Sequence, residues 1–242
     1  MDFFDFLSSA SSAWALLSAY PLRWALIVVV FLVAVESLTF IPYAGFVIKL
    51  AVAGVVVPHV IALFSQAAAG QPPSPVRLLE AFAYPPSTLA VFVGASLLPF
   101  AVGIAFLYVK GGRQAIEFFF GNMLRTKPPP KALFERFKYV TQVVALPFTF
   151  LAGAAVIKGL SGLAALSAAL SAAVLNWLPI LLLALLALAF EWSSAHLPSV
   201  LPKPAAVLVG IVLIVAYLAW SFAITYTISD KVFGTPSASN AA

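Results

Sequence analysis

Long apolar runs dominate this chain, and short segments rich in proline, glycine and charged residues separate them. About 20 consecutive apolar residues are enough for one α-helix to cross the hydrocarbon core of a membrane. The pattern therefore predicts an all-α, polytopic transmembrane helix bundle of five or six spans. Because every polar stretch is short, residues 1–242 are expected to form a single transmembrane domain. The predicted spans are residues 22–39, 46–69, 88–109, 140–157, 174–190 and 205–228.

Prolines and one asparagine interrupt the apolar runs. Pro58 lies inside the second span, while Asn176 and Pro179 divide residues 160–190 into a small-residue half and a Leu-rich half. Asn176 either caps the second half-helix or marks a broken helix beside a cavity, and we favour the cap because Asn is common there. Pro99 leaves two alternatives for residues 88–125, namely one crossing or a hairpin.

The first twenty residues have a helical periodicity of their own. They lack the basic start of a cleaved signal peptide, so we interpret them as mature sequence. The pattern indicates an amphipathic helix in the membrane interface, with a frayed tail as the alternative. One face of that helix would carry Phe3, Phe6, Leu7, Ala10, Trp14 and Leu17.

Small residues recur every four positions between residues 161 and 173. Such faces allow close approach of helices in lipid, where packing replaces the hydrophobic effect. We favour packing inside the molecule over a dimer interface. The two rows are Ser161, Ala165, Ala169 and Ala173, and Ala164, Ala168 and Ala172.

An internal repeat is the least random feature of the sequence. The segment PSPVRLLEAFAY reappears 55 residues later as PPPKALFERFKY, and PKPAAV is a weaker third copy. Each copy precedes an apolar span, which predicts a proline-stiffened loop followed by a short helix that enters the membrane. If residues 88–109 cross once, the first two copies lie on opposite faces, as in inverted-repeat transporters. The matched positions are Pro73, Pro75, Leu78, Glu80, Phe82 and Tyr84, and Pro128, Pro130, Leu133, Glu135, Phe137 and Tyr139.

Composition narrows the class of protein. The chain is 63% hydrophobic and 9% charged, with a mean hydropathy of +1.08, and it has no cysteine. Thiolate metal sites and cysteine nucleophiles are therefore excluded, and neither a metal nor a cofactor is expected. The net charge of +5 fits cytoplasmic loops of a cell-membrane protein better than a nucleic-acid partner. The basic cluster places residues 110–138 in the cytoplasm and contains Lys110, Arg113, Arg125, Lys127, Lys131, Arg136 and Lys138.

Few polar residues fall within the spans. Glu36 and Lys49 lie at similar distances from the turn at residues 42–45, which predicts an ion pair that joins the first two spans, with a proton or ion site as the alternative. His59 lies beside Pro58 and is interpreted as a hydrogen-bonded structural residue, with a proton relay as the alternative. A haem held by His59 and His196 is not expected.

The run from Ile41 to Phe82 resembles an uncharacterised family of proteobacterial six-helix inner-membrane proteins. The shared features are Ile-Pro…Gly, a proline within the helix, and Gly-x-x-Pro-x-Pro…Leu…Ala-Phe. The segment PPPKALFERF and the ending AITYTISDKVFG are also similar to that family. The resemblance implies a six-helix membrane protein and no particular activity. The residues that carry it are Ile41, Pro42, Gly45, Pro58, Gly70, Pro73, Pro75, Leu78 and Phe82.

Catalytic signatures for nucleophiles, nucleotides or metals are absent from the sequence. We therefore expect no enzyme activity, keep an intramembrane enzyme that acts on lipid only as a third hypothesis, and favour two functions. The first is an accessory or organising subunit that contacts another membrane protein or a second copy of itself. The second is a small transporter or channel that uses Glu36, Lys49, His59 and Asn176.

Overall fold

The computed structural model describes residues 1–121 and 127–234. The protein is 86% helical, and the described residues contain no strand. Six of its helical regions are long and apolar enough to cross a membrane, which confirms the predicted all-α membrane bundle. Arg125, which belongs to the basic cluster of the sequence analysis, lies outside the described residues.

Nine α-helices follow one another within the described ranges. They are α1 (Phe3–Ala19), α2 (Pro21–Ser37), α3 (Gly45–Ala68), α4 (Pro86–Phe120), α5 (Lys131–Ala145), α6 (Leu151–Val156), α7 (Gly162–Leu175), α8 (Trp177–Val200) and α9 (Lys203–Phe233). Three 3₁₀ segments, Leu38–Phe40, Pro75–Ala83 and Leu146–Phe148, extend or connect them.

Spanning helices that follow one another along the chain run antiparallel, so the bundle has two ends. Gly54 of α3 lies against Ser96 of α4, and Gly103 of α4 lies against Phe137 of α5. Phe190 of α8 stacks on Tyr217 of α9 with ring centroids 4.0 Å apart. The first end holds the start of α2 and the ends of α3 and α9. The second end holds residues 38–44, the α4–α5 connection and the α8–α9 connection.

Helix α1 confirms the helical interpretation of the first twenty residues. Its start is closed by a capping box between Asp2 and Asp5. The Ser9 carbonyl accepts a 3.0 Å hydrogen bond from Thr227 Oγ1 of α9, and the Leu16 carbonyl accepts one of 3.2 Å from Trp24 Nε1 of α2. Helix α1 therefore links α9 to α2 at the first end of the bundle, and its exposed Phe4 and Trp14 remain available to lipid.

Helix α4 decides between one crossing and a hairpin. It continues through Pro99, so the hairpin at that proline does not form. The chain folds at Gly112 instead, where φ is 67° and ψ is −166°, a conformation that essentially only glycine adopts. Residues 113–120 then pack back on α4, with Phe119 centred 5.6 Å from Phe100. The third span is therefore longer than predicted.

A phenylalanine cluster forms the second core of the molecule, at the second end. It exists because the fold at Gly112 returns Phe118 and Phe119 to the α3–α4–α5 interface. Phe119 and Phe137 have ring centroids 4.8 Å apart, and Phe46 and Phe100 are 4.9 Å apart. The cluster consists of Phe46, Phe100, Phe118, Phe119, Phe134 and Phe137.

The fourth and fifth spans differ from their predicted limits because of local breaks. The fourth begins at Lys131 rather than at residue 140 and is broken by the 3₁₀ turn at Pro147. Helix α7 has 14 residues, about 21 Å, which is too short to cross the hydrocarbon core. Asn176 ends α7, so the fifth span begins at Trp177.

One small-residue row of α7 packs inside the molecule, as favoured from the sequence. Ala165 and Ala169 are fully buried and Ala173 is almost so, whereas Ser161 and Ala164 are exposed. The row faces α4, α6 and the Pro147 turn. Alanine side chains leave room for that approach, and dispersion contacts along the row then stabilise the position of α7.

Gly54 and Gly94 provide a matched test of helix packing. A Cβ on Gly54 would lie 2.9 Å from the Phe92 carbonyl oxygen and would overlap Ser96, whereas a Cβ on Gly94 would contact nothing within 4 Å. We expect Gly54→Ala to destabilise the protein by about 1–3 kcal/mol. Gly94→Ala should stabilise it by up to about 1 kcal/mol. Thermal unfolding in one detergent measures both, and equal effects would contradict the close α3–α4 approach.

Candidate functional site

Residues 69–85 form a re-entrant segment that turns back into the bundle between α2 and α3. The segment contains the 3₁₀ helix Pro75–Ala83, whose nine residues exceed the usual three or four. Its Glu80 lies beside His59, which is nine residues before the end of α3. At 1.5 Å per residue, the segment therefore reaches back about 14 Å along α3.

His59 is the most enclosed polar side chain next to this segment. It is 6% exposed, and neither ring nitrogen has a hydrogen-bond partner among the described residues. Glu80 Oε2 lies 3.9 Å from His59 Nε2, beyond hydrogen-bond distance. The hydrogen-bonded structural histidine expected from the sequence is therefore not what the geometry shows. The pair instead places a carboxylate close to an unpartnered imidazole.

Two further contacts hold the re-entrant segment against α3. Arg77 Nη1 donates a hydrogen bond to Gln66 Oε1 of α3. The Tyr84 ring lies edge-on to His59 at 6.1 Å and to Phe92 of α4 at 5.5 Å. Burial raises the pKa of the Tyr84 hydroxyl, so this group stays protonated at neutral pH. Sequence reasoning found His59 and Glu80 separately but missed that they meet, because only the folded segment brings them together.

Glu36 and Lys49 form the ion pair predicted from the sequence. Lys49 Nζ lies 2.6 Å from Glu36 Oε2, with exposed side-chain fractions of 21% and 56%. The pair joins the end of α2 to the first turns of α3, at the second end of the bundle. It is thus separated from the His59–Glu80 pair by about 15 Å of α3, ten residues at 1.5 Å each.

Asn176 lies between α7 and α8, and its side chain bonds to the end of α7 rather than to the start of α8. Its Nδ2 donates to the Ala172 carbonyl at 3.0 Å, and no side-chain bond caps the start of α8. Asn176 thus occupies the predicted N-cap position of α8, but its side chain turns back to satisfy a carbonyl at the end of α7. Its Oδ1 accepts a 3.2 Å hydrogen bond from the Met1 amino group.

The two main repeat copies lie at opposite ends of α4, since that helix crosses once. Their conformations differ: the first copy is the 3₁₀ helix of the re-entrant segment, and the second begins α5. Burial differs as well. Leu78 is buried while Leu133 is only partly so, and Phe82 is exposed while its counterpart Phe137 is buried. The repeat therefore stays a prediction from sequence.

At the remaining matched positions, the two repeat copies have the same solvent exposure in some cases and different exposure in others. Glu80 and Glu135 are both exposed, whereas Tyr84 is partly buried and Tyr139 is 52% exposed. The prolines follow no common pattern either: Pro73 is buried, Pro75 is partly buried, and Pro128 and Pro130 are exposed.

A second polar network was missed by sequence reasoning. Glu191 of α8 accepts a 3.2 Å hydrogen bond from Gln142 and lies 3.7 Å from Lys138 Nζ, both on α5. His196 lies on α8 rather than in a loop, and its Nδ1 contacts the Trp192 carbonyl at 2.7 Å. Within the described ranges, no group of three or more His, Asp or Glu side chains converges as a metal site would require.

A central cavity of about 360 Å³ lies between α3, α4, α6 and α9. Its lining is apolar apart from a few hydroxyls. Three of these donate to carbonyls of their own helical turns: Ser96 to Val93 at 2.9 Å, Thr149 to Leu146 at 2.7 Å and Thr225 to Ser221 at 2.7 Å. Glu36, Lys49, His59 and Asn176 do not line it.

Comparison with known proteins adds no assignment. No family model matches the chain, and neither the curated proteins nor the solved structures give a match. The resemblance to proteobacterial inner-membrane proteins therefore stays a prediction.

The Glu36–Lys49 pair can be tested with a double-mutant cycle. We expect Glu36→Gln and Lys49→Met each to lower stability, and the double variant to lose less than the sum. The expected coupling is about 0.5–1 kcal/mol, since Glu36 is more than half exposed. Thermal unfolding in detergent measures it. A Glu36→Gln protein as stable as the wild type would show that the pair contributes nothing.

His59 leads to the opposite expectation for stability. Replacement by Leu removes two buried nitrogens that have no partner, and such groups cost about 1–3 kcal/mol each. His59→Leu should therefore unfold at the same temperature as the wild type or higher. His196→Leu is the control, because that ring is exposed and one of its nitrogens is already bonded. A clearly lower unfolding temperature for His59→Leu alone would contradict this account.

Proposed function

We propose that this chain is an accessory or organising subunit of the cell membrane, which acts by helix–helix contact with another membrane protein and catalyses no reaction. The observation that supports this most directly is the dispersal of its polar side chains. Glu36 and Lys49 pair at one end, His59 lies under the re-entrant segment, and Asn176 closes α7. A transport pathway would instead gather such groups around one hydrated cavity.

The central cavity supports the same conclusion. Four hydroxyls line the cavity, and three of them, those of Ser96, Thr149 and Thr225, already donate to backbone carbonyls. An ion that entered would meet methyl groups and aromatic rings on nearly every side. Leaving the hydration shell for such a lining costs several kcal/mol. The cavity is therefore a packing defect beside Pro58 rather than a conduit.

Helix α8 is the element best placed to meet a partner. Only 11% of its apolar stretch is buried, compared with 39% for α3. Leu181 and Leu185 on its outer side are 43% and 52% exposed. Lipid also covers apolar faces, so exposure by itself does not require a protein partner. A partner that packs here would leave the central fold unchanged, as an organising role requires.

Charge distribution supports an orientation with residues 110–138 in the cytoplasm. The second end of the bundle carries Lys110, Arg113, Lys127, Lys131, Arg136 and Lys138 in the α4–α5 region. Positive residues beside spans are retained on the cytoplasmic side of a cell membrane. Both α1 and the end of α9 would then lie at the opposite face.

A small transporter is the second candidate function. It is favoured by one observation, the juxtaposition of His59 with Glu80 beneath a segment that enters the bundle. Titratable groups in broken or re-entrant elements are typical of proton-coupled transporters. In that case His59 and Glu80 would exchange protons while the segment moves.

Photo-crosslinking from α8 separates the two functions. A photoreactive amino acid at Leu185, which faces outward, should give one discrete protein adduct in native membranes. The same probe at Ile180, which is 6% exposed, is the matched control and should give none. We also expect the partner to co-purify stoichiometrically in mild detergent and to be lost from a Leu185→Asn variant.

The contrary result is equally specific. A chain that purifies alone, gives only lipid adducts, and shows liposome proton flux that disappears in His59→Leu would contradict the accessory role. It would support transport instead.

A further inference from the structure

A cleft of about 440 Å³ lies between α2, α3 and the re-entrant segment. Its walls are apolar throughout. Val30, Phe31 and Val35 of α2 form one wall, Val52 and Val56 of α3 form the second, and the 3₁₀ helix Pro75–Ala83 forms the third. Because the surrounding solvent is lipid, an apolar slot of this kind favours a hydrocarbon ligand over a hydrated one.

The size of the cleft restricts its occupant. An α-helix about 10 Å wide displaces about 400 Å³ in each turn, so a partner helix would fit for only one turn. A linear acyl chain is far narrower and could lie along the whole cleft. The volume falls within the range of about 300–1,000 Å³ found for small-molecule sites.

Two arginines lie at the Pro75 end of the cleft. Arg23 Nη1 donates to the Pro73 carbonyl at 3.4 Å. Arg77 is the residue between Val76 and Leu78, which both line the cleft, and its Nη1 donates to Gln66 Oε1 of α3. Neither guanidinium has a carboxylate within 4.0 Å among the described residues, unlike Lys49 at the other end, which is paired with Glu36. A guanidinium has five N–H donors, so each keeps donors available for an anion.

Glu80 follows Arg77 by three residues but forms no ion pair with it among the described residues. It is 58% exposed and lies against His59 of α3. Because no ion pair involves Arg23 or Arg77 among the described residues, this end of the cleft carries two unpaired guanidinium charges. Guanidinium groups bind phosphate oxygens through charge-assisted, often bidentate, hydrogen bonds.

We propose that the cleft binds one acyl chain of an anionic phospholipid whose phosphate is held by Arg23 and Arg77. The lipid then contacts α2, α3 and the re-entrant segment at once and stabilises that segment in its position. This site does not depend on the accessory role, because a transporter or a subunit could carry it equally.

The test uses the full chain, purified in detergent and stripped of lipid. Dioleoyl phosphatidylglycerol and dioleoyl phosphatidylcholine have the same chains and differ in headgroup charge. We expect the anionic lipid to raise the unfolding temperature more and to be retained in native mass spectrometry. Arg23→Gln and Arg77→Gln should each weaken its binding about fivefold. Lys203→Gln removes an exposed charge far from the cleft and should have no effect.

A second pair of variants tests the acyl chain independently of the arginines. Ala34 lines the cleft, so Ala34→Trp should fill it and reduce retention of the lipid. Ala164→Trp adds the same side chain on the exposed side of α7 and should change nothing. Four results would each overturn the proposal. The two lipids could bind equally, or the arginine variants could retain the lipid fully. Ala34→Trp could also retain it fully, or the deacylated headgroup could stabilise the protein as much as the lipid does.

Discussion

The rest of the fold depends on one aromatic stack, formed by Trp24, Phe64 and Tyr226. Trp24 and Phe64 lie face to face with centroids 3.7 Å apart, and Tyr226 stacks on Phe64 at 6.2 Å. The three rings come from α2, α3 and α9, so the stack joins the beginning and the end of the chain. In lipid the hydrophobic effect does not drive helices together, and such dense contacts replace it. The indole nitrogen of Trp24 also bonds to Leu16, which includes α1 in the same unit.

A second constraint is the need to satisfy backbone groups inside the membrane. Most of the chain meets this need with long α-helices, whereas the re-entrant segment meets it with a 3₁₀ helix. Its position beside α2 and α3 creates both the His59–Glu80 contact and the apolar cleft. The His59–Glu80 contact and the apolar cleft therefore have one structural origin. It is the re-entrant segment, which turns back into the bundle instead of crossing it.

Polar side chains are distributed so that most of them join helices. The Glu36–Lys49 pair connects α2 to α3, Glu191 connects α8 to α5, and Asn176 completes the last turn of α7. His59 is different, because both of its ring nitrogens are buried without partners, as are the hydroxyls of Thr39, Ser194 and Ser229. A cost of that kind persists where a side chain has a task beyond packing. We therefore regard His59 as the residue to examine first if transport activity is found.

The sequence by itself determined the class of protein and predicted five or six apolar spans, a helix at the start of the chain and the Glu36–Lys49 pair. The spans and the first helix follow from local periodicity. The ion pair follows from the short separation of its two residues across one turn. Only the tertiary structure decided that α4 folds at Gly112 rather than at Pro99, that Asn176 caps α7, and that Glu80 meets His59. Each of these depends on which surfaces pack together. In lipid, packing depends on how well the shapes of distant segments fit each other, and the periodicity of a sequence does not encode that fit.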